Sequence, residues 1–474
     1  MITQVATQQE PDVSRWARLR DVGGAIAAWG TWTVMTIGLF VYLTHYTRNI
    51  PYMDDFPMVP VLTGNQPLTA EWAWSQHNEH RPLISRLIIV GLFRFVANDF
   101  RLPRYLNAGL LSTMAAGMIL LAGRMRGSYR ATDAVFPMTL LSVAQTESLF
   151  VGFAMNLVLS SAMVIALIAA AGRARPGSVI LPLGFGLALA VLPLTGGSGL
   201  TLVPALGLWV AGYIATGWWS GRKPRPLMRG AGVLLLAVGL AITALYFRGY
   251  SRPPYHPLPP SLGSVVSSML MYLSLAVHPH LSSYRWPAGL IAAGLVIATL
   301  MLLGIRALRE PAERPKALAL MAILVAMLGL AGAVALSRSG LGPTVVLAPR
   351  YVTLTAPLLC VIYIAWLAYG GARGRVAVPL ALLVLIGTAM SDGYRFSRAY
   401  GRGLLAAERR VEAAQARRAS VGELARAAAP DLYPMADYAD RFFRLMETAR
   451  MGPFANTETT RTATASAASG SIRR

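Results

Sequence analysis

GGAIAAWGTWTVMTIGLFVYLTHY, residues 23–46, contains no Asp, Glu, Lys or Arg. As an α-helix it would rise about 36 Å, enough to cross a hydrocarbon core of about 30 Å. In lipid, every backbone N–H and C=O must be satisfied within such a segment, so it has to be helical. The run is too long for a signal-peptide core and no small-residue cleavage site follows, so it is expected to stay as the first transmembrane helix. Comparable runs recur at about 104–123, 131–148, 151–171, 179–195, 200–218, 231–248, 286–305, 317–336, 350–369 and 376–391. The 474 residues have a mean hydropathy of +0.50 and only 14% charged residues, against about a quarter in an ordinary soluble domain. These features predict an all-α, polytopic integral membrane protein with about eleven transmembrane helices.

Two apolar segments read differently. Residues 83–97, LISRLIIVGLFRFVA, carry Arg86 and Arg94 inside a short run, which fits an interfacial amphipathic helix. Residues 263–280 are weakly apolar, end at His278 and His280, and are read the same way.

The net charge of +22 is not a nucleic-acid footprint. Its arginines sit mainly in alternate connections (124–130, 173–175, 222–229, 306–316 and 373–375) and in the C-terminal tail. Basic connections mark the cytoplasmic side. The expected organisation is a cytoplasmic N-terminus (1–22) and a membrane domain (23–391) with external regions at 47–103 and 249–285. An external, soluble, helical tail (392–474) follows, with helices near 402–428 and 435–449 and disorder after about 455. Lys occurs only at 223 and 316 against abundant Arg, a bias of GC-rich bacterial coding. The single Cys360 excludes an intramolecular disulfide.

Polar residues cluster in the external segments. YMDDFPMVPVL (52–62) follows helix 1 and holds Asp54 and Asp55. Adjacent carboxylates at a membrane boundary repel and resist desolvation, which raises one pKa and suits a general base; a solvated loop capping a helix end fits the same residues. QHNEHRPLISR (76–86) holds His77, Glu79, His80 and Arg81. The two His and the Glu are a candidate divalent-metal set, although such spacing is weakly specific, and a polar lead-in to an interfacial helix is the plainer reading. AQTESLFVGFAMN (144–156) places Gln145, Glu147 and Asn156 at the membrane, where polar groups mark function or brace a tight hairpin. SRSGLGPTVVLAPRYVTL (337–354) holds Arg338, Arg350 and Tyr351. These arginines are either phosphate ligands or interfacial anchors.

The acidic pair after helix 1, HNEHR at 77–81, the stretch from Gln145 to Phe153 and Arg350–Tyr351 together resemble the GT-C superfamily of membrane glycosyltransferases. That superfamily includes the protein O-mannosyltransferases and the lipid A aminoarabinose transferase. The topological likeness covers residues 1 to about 400; the motif likeness is confined to these short stretches. The resemblance implies sugar transfer from a polyprenyl-phosphate donor to a hydroxyl of a glycan, lipid or protein, at the external face of the bacterial inner membrane. It matches Asp54 to the family's base, but this chain has Asp-Asp where many relatives have Asp-Glu, so either Asp54 or Asp55 could be the carboxylate that acts. Arg81, Arg350 and Arg338 would then bind donor phosphate, and His77, Glu79, His80, Gln145, Glu147 and Tyr351 would line the substrate site. Single displacement would invert the anomeric centre. No cofactor is required, a divalent metal stays open, and the partners are membrane lipids and substrates, not nucleic acid. The alternative class is a lipid or polysaccharide transporter or flippase; no internal repeat supports it.

Overall fold

The computed structural model describes residues 13–175, 178–216, 226–277, 285–342 and 344–455. The basic stretch around Lys223, His278 and His280, and the end beyond 455 lie outside the described residues. Among the described residues there are no β-strands. A single isolated antiparallel bridge pairs His77 with His80.

Counting helices of eight residues or more, the chain runs α1 (Val13–Tyr46), α2 (Leu83–Phe95), α3 (Arg101–Arg126), α4 (Met155–Arg173), α5 (Ile180–Thr195), α6 (Val203–Thr216) and α7 (Pro226–Phe247). It continues through α8 (Leu262–Val277), α9 (Arg285–Arg309), α10 (Arg314–Arg338), α11 (Arg350–Tyr369), α12 (Gly371–Ala416), α13 (Val421–Ala428) and α14 (Ala436–Ala449). Nine helical segments among the described residues are long and apolar enough to cross a membrane. The protein is therefore a multi-pass helical membrane protein.

Two of the eleven expected spans take another form. Residues 131–148 are not one helix. A 3-10 turn (Ala131–Ala134), a short helix (Val135–Leu140) and another (Thr146–Phe150) replace it. The helix breaks between Leu141 and Gln145, and Gln145 bridges the break by donating to Leu140 C=O at 2.8 Å and accepting from Thr353 at 2.7 Å. The second, α5, has 16 residues and rises only about 24 Å. Gly196, at φ 130°, then turns the chain into the short helix Gly197–Leu200. Irregular backbone of this kind is tolerated at membrane depth where it lines a cavity.

The centre of the bundle is α11, with 17 of its 20 residues buried, packed against α4 and α12. At the periphery, only Gly232, Gly239 and Tyr246 of α7 are buried. It meets α5 closely because Gly239 lies against Leu189, where a Cβ would come within 2.8 Å of a side-chain atom. Small residues allow such approach where lipid gives no hydrophobic drive between helices. With 46 residues, α12 is about 69 Å long, more than twice the hydrocarbon thickness. It runs unbroken through residue 391, so part of it must project beyond the bilayer and carry α13 and α14.

Candidate functional site

The segment after α1 folds as a 3-10 helix, Met53–Met58, then a short helix, Val59–Leu62. Its acids are separated by this geometry. Asp55 turns inward: it is buried, accepts from the Phe153 N–H at 2.8 Å and the Tyr52 N–H at 3.3 Å, and lies 3.5 Å from Arg104. Burial pushes its carboxyl above the usual range despite Arg104 and these N–H groups. Arg104 is itself fully buried and also meets Glu408 of α12 at 3.5 Å. Asp55 thus belongs to a clasp joining the first loop, α3 and α12.

Asp54 turns the other way, into a cavity of about 520 Å³, with 54% of its side chain exposed. His77 Nε2 stands 3.5 Å from its Oδ1. Burial works to raise the Asp54 pKa, but the nearby His77, with Arg350 and His80, outweighs it. They hold the carboxyl below its usual range. The raised acid of the pair is therefore Asp55, away from the cavity, and the cavity acid is the one kept ionised.

Met53, immediately before Asp54, has φ 47°, a left-handed conformation costly for a non-glycine residue. Its N–H donates to Leu432 C=O at 2.9 Å. Phe56 packs among Tyr433, Phe442 and Phe443. The C-terminal helices thus brace the segment that aims Asp54.

The second wall comes from HNEHR. His77 and His80 exchange backbone hydrogen bonds around Asn78, which has φ 51°. This turn aims Glu79 and His80 into the cavity. His80 Nδ1 accepts from the Gly197 N–H at 3.1 Å, and burial pushes its imidazole down to about 4. Glu79 pairs with Arg338, whose Nη1 meets His256 at 2.6 Å and whose Nε donates to Tyr351 Oη at 3.1 Å. Arg350 pairs with Glu147 at 2.6 Å and lies over the Tyr351 ring. Below this polar rim the wall is apolar: Phe153, Leu157, Leu200, Leu330, Val334 and Leu354.

Asp54, Glu79, His80, Glu147, Arg338, Arg350 and Tyr351 therefore line one cavity. His77 stands behind Asp54, edge-on to Phe153. Arg81, expected as a phosphate ligand, is placed elsewhere. It is buried and donates to the carbonyls of Tyr246, Trp74 and Arg248, which staples the first loop to the end of α7. Gln145 is occupied in bracing the broken helix, as described above. Among the described residues no three His, Cys, Asp or Glu side chains converge as a metal set. His77 turns to Asp54, and His80 to Gly197 and Glu79, so the candidate trio of His77, Glu79 and His80 does not share one point.

Sequence reasoning missed Asn156 as a wall residue, and His256, Tyr246 and Tyr400 altogether; all line the cavity. His256 lies in the Pro-rich segment after α7, and its only signal was being one of six His in a chain poor in them. The segments following α1 and α7 are also tied together. Gln76 donates to Ser251 C=O at 2.6 Å, and the Tyr255 hydroxyl meets Asn78. No protein-family model matches the chain, and neither a curated protein nor a solved structure shows significant similarity to it.

Proposed function

We propose that this protein is a glycosyltransferase of the GT-C kind, moving a sugar from a polyprenyl-phosphate donor to an acceptor hydroxyl. The observation that carries this reading is the cavity itself. One half is an apolar wall rising from the helix bundle, and the other is a polar rim holding Asp54 and two arginines. An amphiphile with a phosphate head and an isoprenoid body suits that division.

In the proposed reaction the acceptor oxygen attacks the anomeric carbon, and the bond to the lipid-phosphate oxygen breaks with its electron pair. Asp54 takes the acceptor proton as the new C–O bond forms. Because its carboxyl is held low, it is ionised and ready throughout the neutral range. Arg350, and Arg338 behind it, stabilise the charge developing on the departing phosphate. His77 holds Asp54, and His80, with its depressed pKa, offers a neutral ring to sugar hydroxyls. One displacement inverts the anomeric centre, and the anomeric coupling constant of the product tests that point.

We infer the orientation from the basic helix ends: on this reading the end bearing Arg124, Arg173, Arg306 and Arg375 faces the cytoplasm and the cavity faces outside. We place the protein in the bacterial inner membrane on the same reading. The test is deletion of the gene, with envelope glycans compared by mass spectrometry after rescue by wild type or by Asp54→Asn. Loss of a sugar that only wild type restores supports transfer through Asp54. Full restoration by the variant, present at the wild-type level, sinks it and favours transport.

A further inference from the structure

A second cavity is larger than the one holding Asp54. It measures about 1770 Å³ and lies at the opposite end of the bundle. The C-terminal ends of α3, α4, α9 and α11 and the N-terminal ends of α5, α10 and α12 border it. Eight cationic and two acidic side chains line it.

Several of these cations are already matched. Arg126 binds Asp133 at 2.7 Å, Arg130 lies 3.6 Å from Asp21, and Arg306 pairs with Glu310. Glu313 accepts from the Tyr369 hydroxyl at 2.8 Å. Arg124, Arg173, Arg175 and Arg375 are exposed and have no carboxylate partner among the described residues. Lys316 donates to the Gly172 carbonyl at 3.4 Å and lies over the Tyr369 ring, with no carboxylate partner among the described residues.

The plain account is that these arginines set topology and offset helix dipoles. Each helix end carries about half a charge, so four C-terminal ends neutralise only about two cations, and the three N-terminal ends add positive potential back. Counting the carboxylates of Asp21, Asp133, Glu310 and Glu313 as well, roughly three to four positive charges are left over in one concave site. The rim also carries exposed apolar residues of membrane helices, Ile180 and Val376. A soluble anion needs no such border; an amphiphile does.

We propose that this cavity is a binding site for the phosphate groups of an anionic phospholipid, with the acyl chains along the apolar rim. Clustered guanidiniums between membrane helices are the chemistry that binds such headgroups. The proposal is independent of the sugar-transfer reading, since it concerns the other end of the bundle and is tested without a transfer assay.

The test uses the full chain in nanodiscs of phosphatidylcholine containing a minor fraction of diphosphatidylglycerol. Annular lipid is exchanged away and the retained lipid is counted by mass spectrometry. Wild type is expected to retain diphosphatidylglycerol at least tenfold over phosphatidylcholine. The triple variant Arg124→Gln, Arg173→Gln, Arg175→Gln is expected to lose that preference, and the matching Lys triple to keep much of it. A control triple, Arg395→Gln, Arg398→Gln, Arg402→Gln, removes the same charge from exposed positions of α12 and should leave it intact. If the Gln triple does not fold, Arg175→Gln alone, in the loop after α4, should lower the preference severalfold.

Equal loss in the cavity and control triples would reduce the effect to general charge and overturn the site. Displacement of the lipid by millimolar inorganic phosphate or pyrophosphate would make it a free-phosphate site and overturn the lipid assignment.

Discussion

The two ends of this helix bundle solve the problem of charge near a membrane in opposite ways. At the Asp54 end, both cavity arginines have a carboxylate partner: Arg338 has Glu79 and Arg350 has Glu147. At the other end, cations outnumber acids, and several arginines have no carboxylate partner among the described residues. A paired, partly desolvated constellation is preorganised, because its dipoles are fixed before a substrate arrives. An unpaired one is incomplete until an anion joins it. The first arrangement suits chemistry and the second suits retention, and each can be broken separately.

The largest expected effect comes from Asp54→Asn. A positioned general base contributes about 10²–10⁴-fold, and transfer measured with purified protein should fall in that range. The melting temperature should hardly move, since Asp54 is open to the cavity. A loss below about tenfold would remove Asp54 from the chemistry.

Arg104→Met should produce the opposite pattern. Arg104 is the buried cation shared by Asp55 and Glu408. Removing one partner of a buried ionic network costs about 3–5 kcal/mol. Thermal unfolding in detergent should show a lower melting temperature and a smaller folded fraction. If stability is unchanged, the clasp between the first loop and α12 is not what holds Asp55 in place.

Phe56→Ala should be milder, in the region of 3 kcal/mol for loss of a buried aromatic ring. Its consequence is specific, because Phe56 joins the Asp54 segment to the C-terminal helices through Tyr433, Phe442 and Phe443. Transfer activity should fall while donor binding is retained. Hydrogen exchange should rise in both residues 52–62 and residues 432–446. A rise confined to the first segment would mean that the C-terminal helices dock without it.

Helix class and most spans were legible in the sequence because burial in lipid leaves a long apolar run no alternative to helix. The two departures came from tertiary partners that hydropathy does not see. Residues 131–148 score as a span by composition, yet Gln145 can break the helix because Thr353 of α11 pairs with its side chain. Asp54 and Asp55 are neighbours of one residue type, and no local pattern says which faces inward. The 3-10 turn and the distant Arg104 decide it. Arg81 and Arg350 are alike in sequence too, both arginines beside apolar runs. Only the end of α7 shows that the hydrogen-bond donors of Arg81 are spent on carbonyls. His256 could not be tied to the first loop, because the contact crosses more than 170 residues of chain.

The smallest effect is a shift, and it probes how Asp54 is held. Among the groups that lower the Asp54 pKa, His77, 3.5 Å away, acts most strongly, followed by Arg350 and His80. A base must be ionised to accept a proton, so activity persists as pH falls until the depressed pKa is crossed. With His77 in place, the acid limb of kcat/KM should lie below the usual carboxylate range. His77→Ala removes the strongest lowering group and leaves burial opposed by Arg350 and His80 alone. The acid limb should therefore move to higher pH, with the neutral-pH rate reduced only as far as Asp54 loses its orientation. His77→Gln keeps a hydrogen-bond donor without the charge and should give an intermediate limb. An acid limb unmoved in His77→Ala would mean that a group other than Asp54 sets it. The paired character of this end would then be structural, and the contrast with the cationic end would lose its chemical meaning.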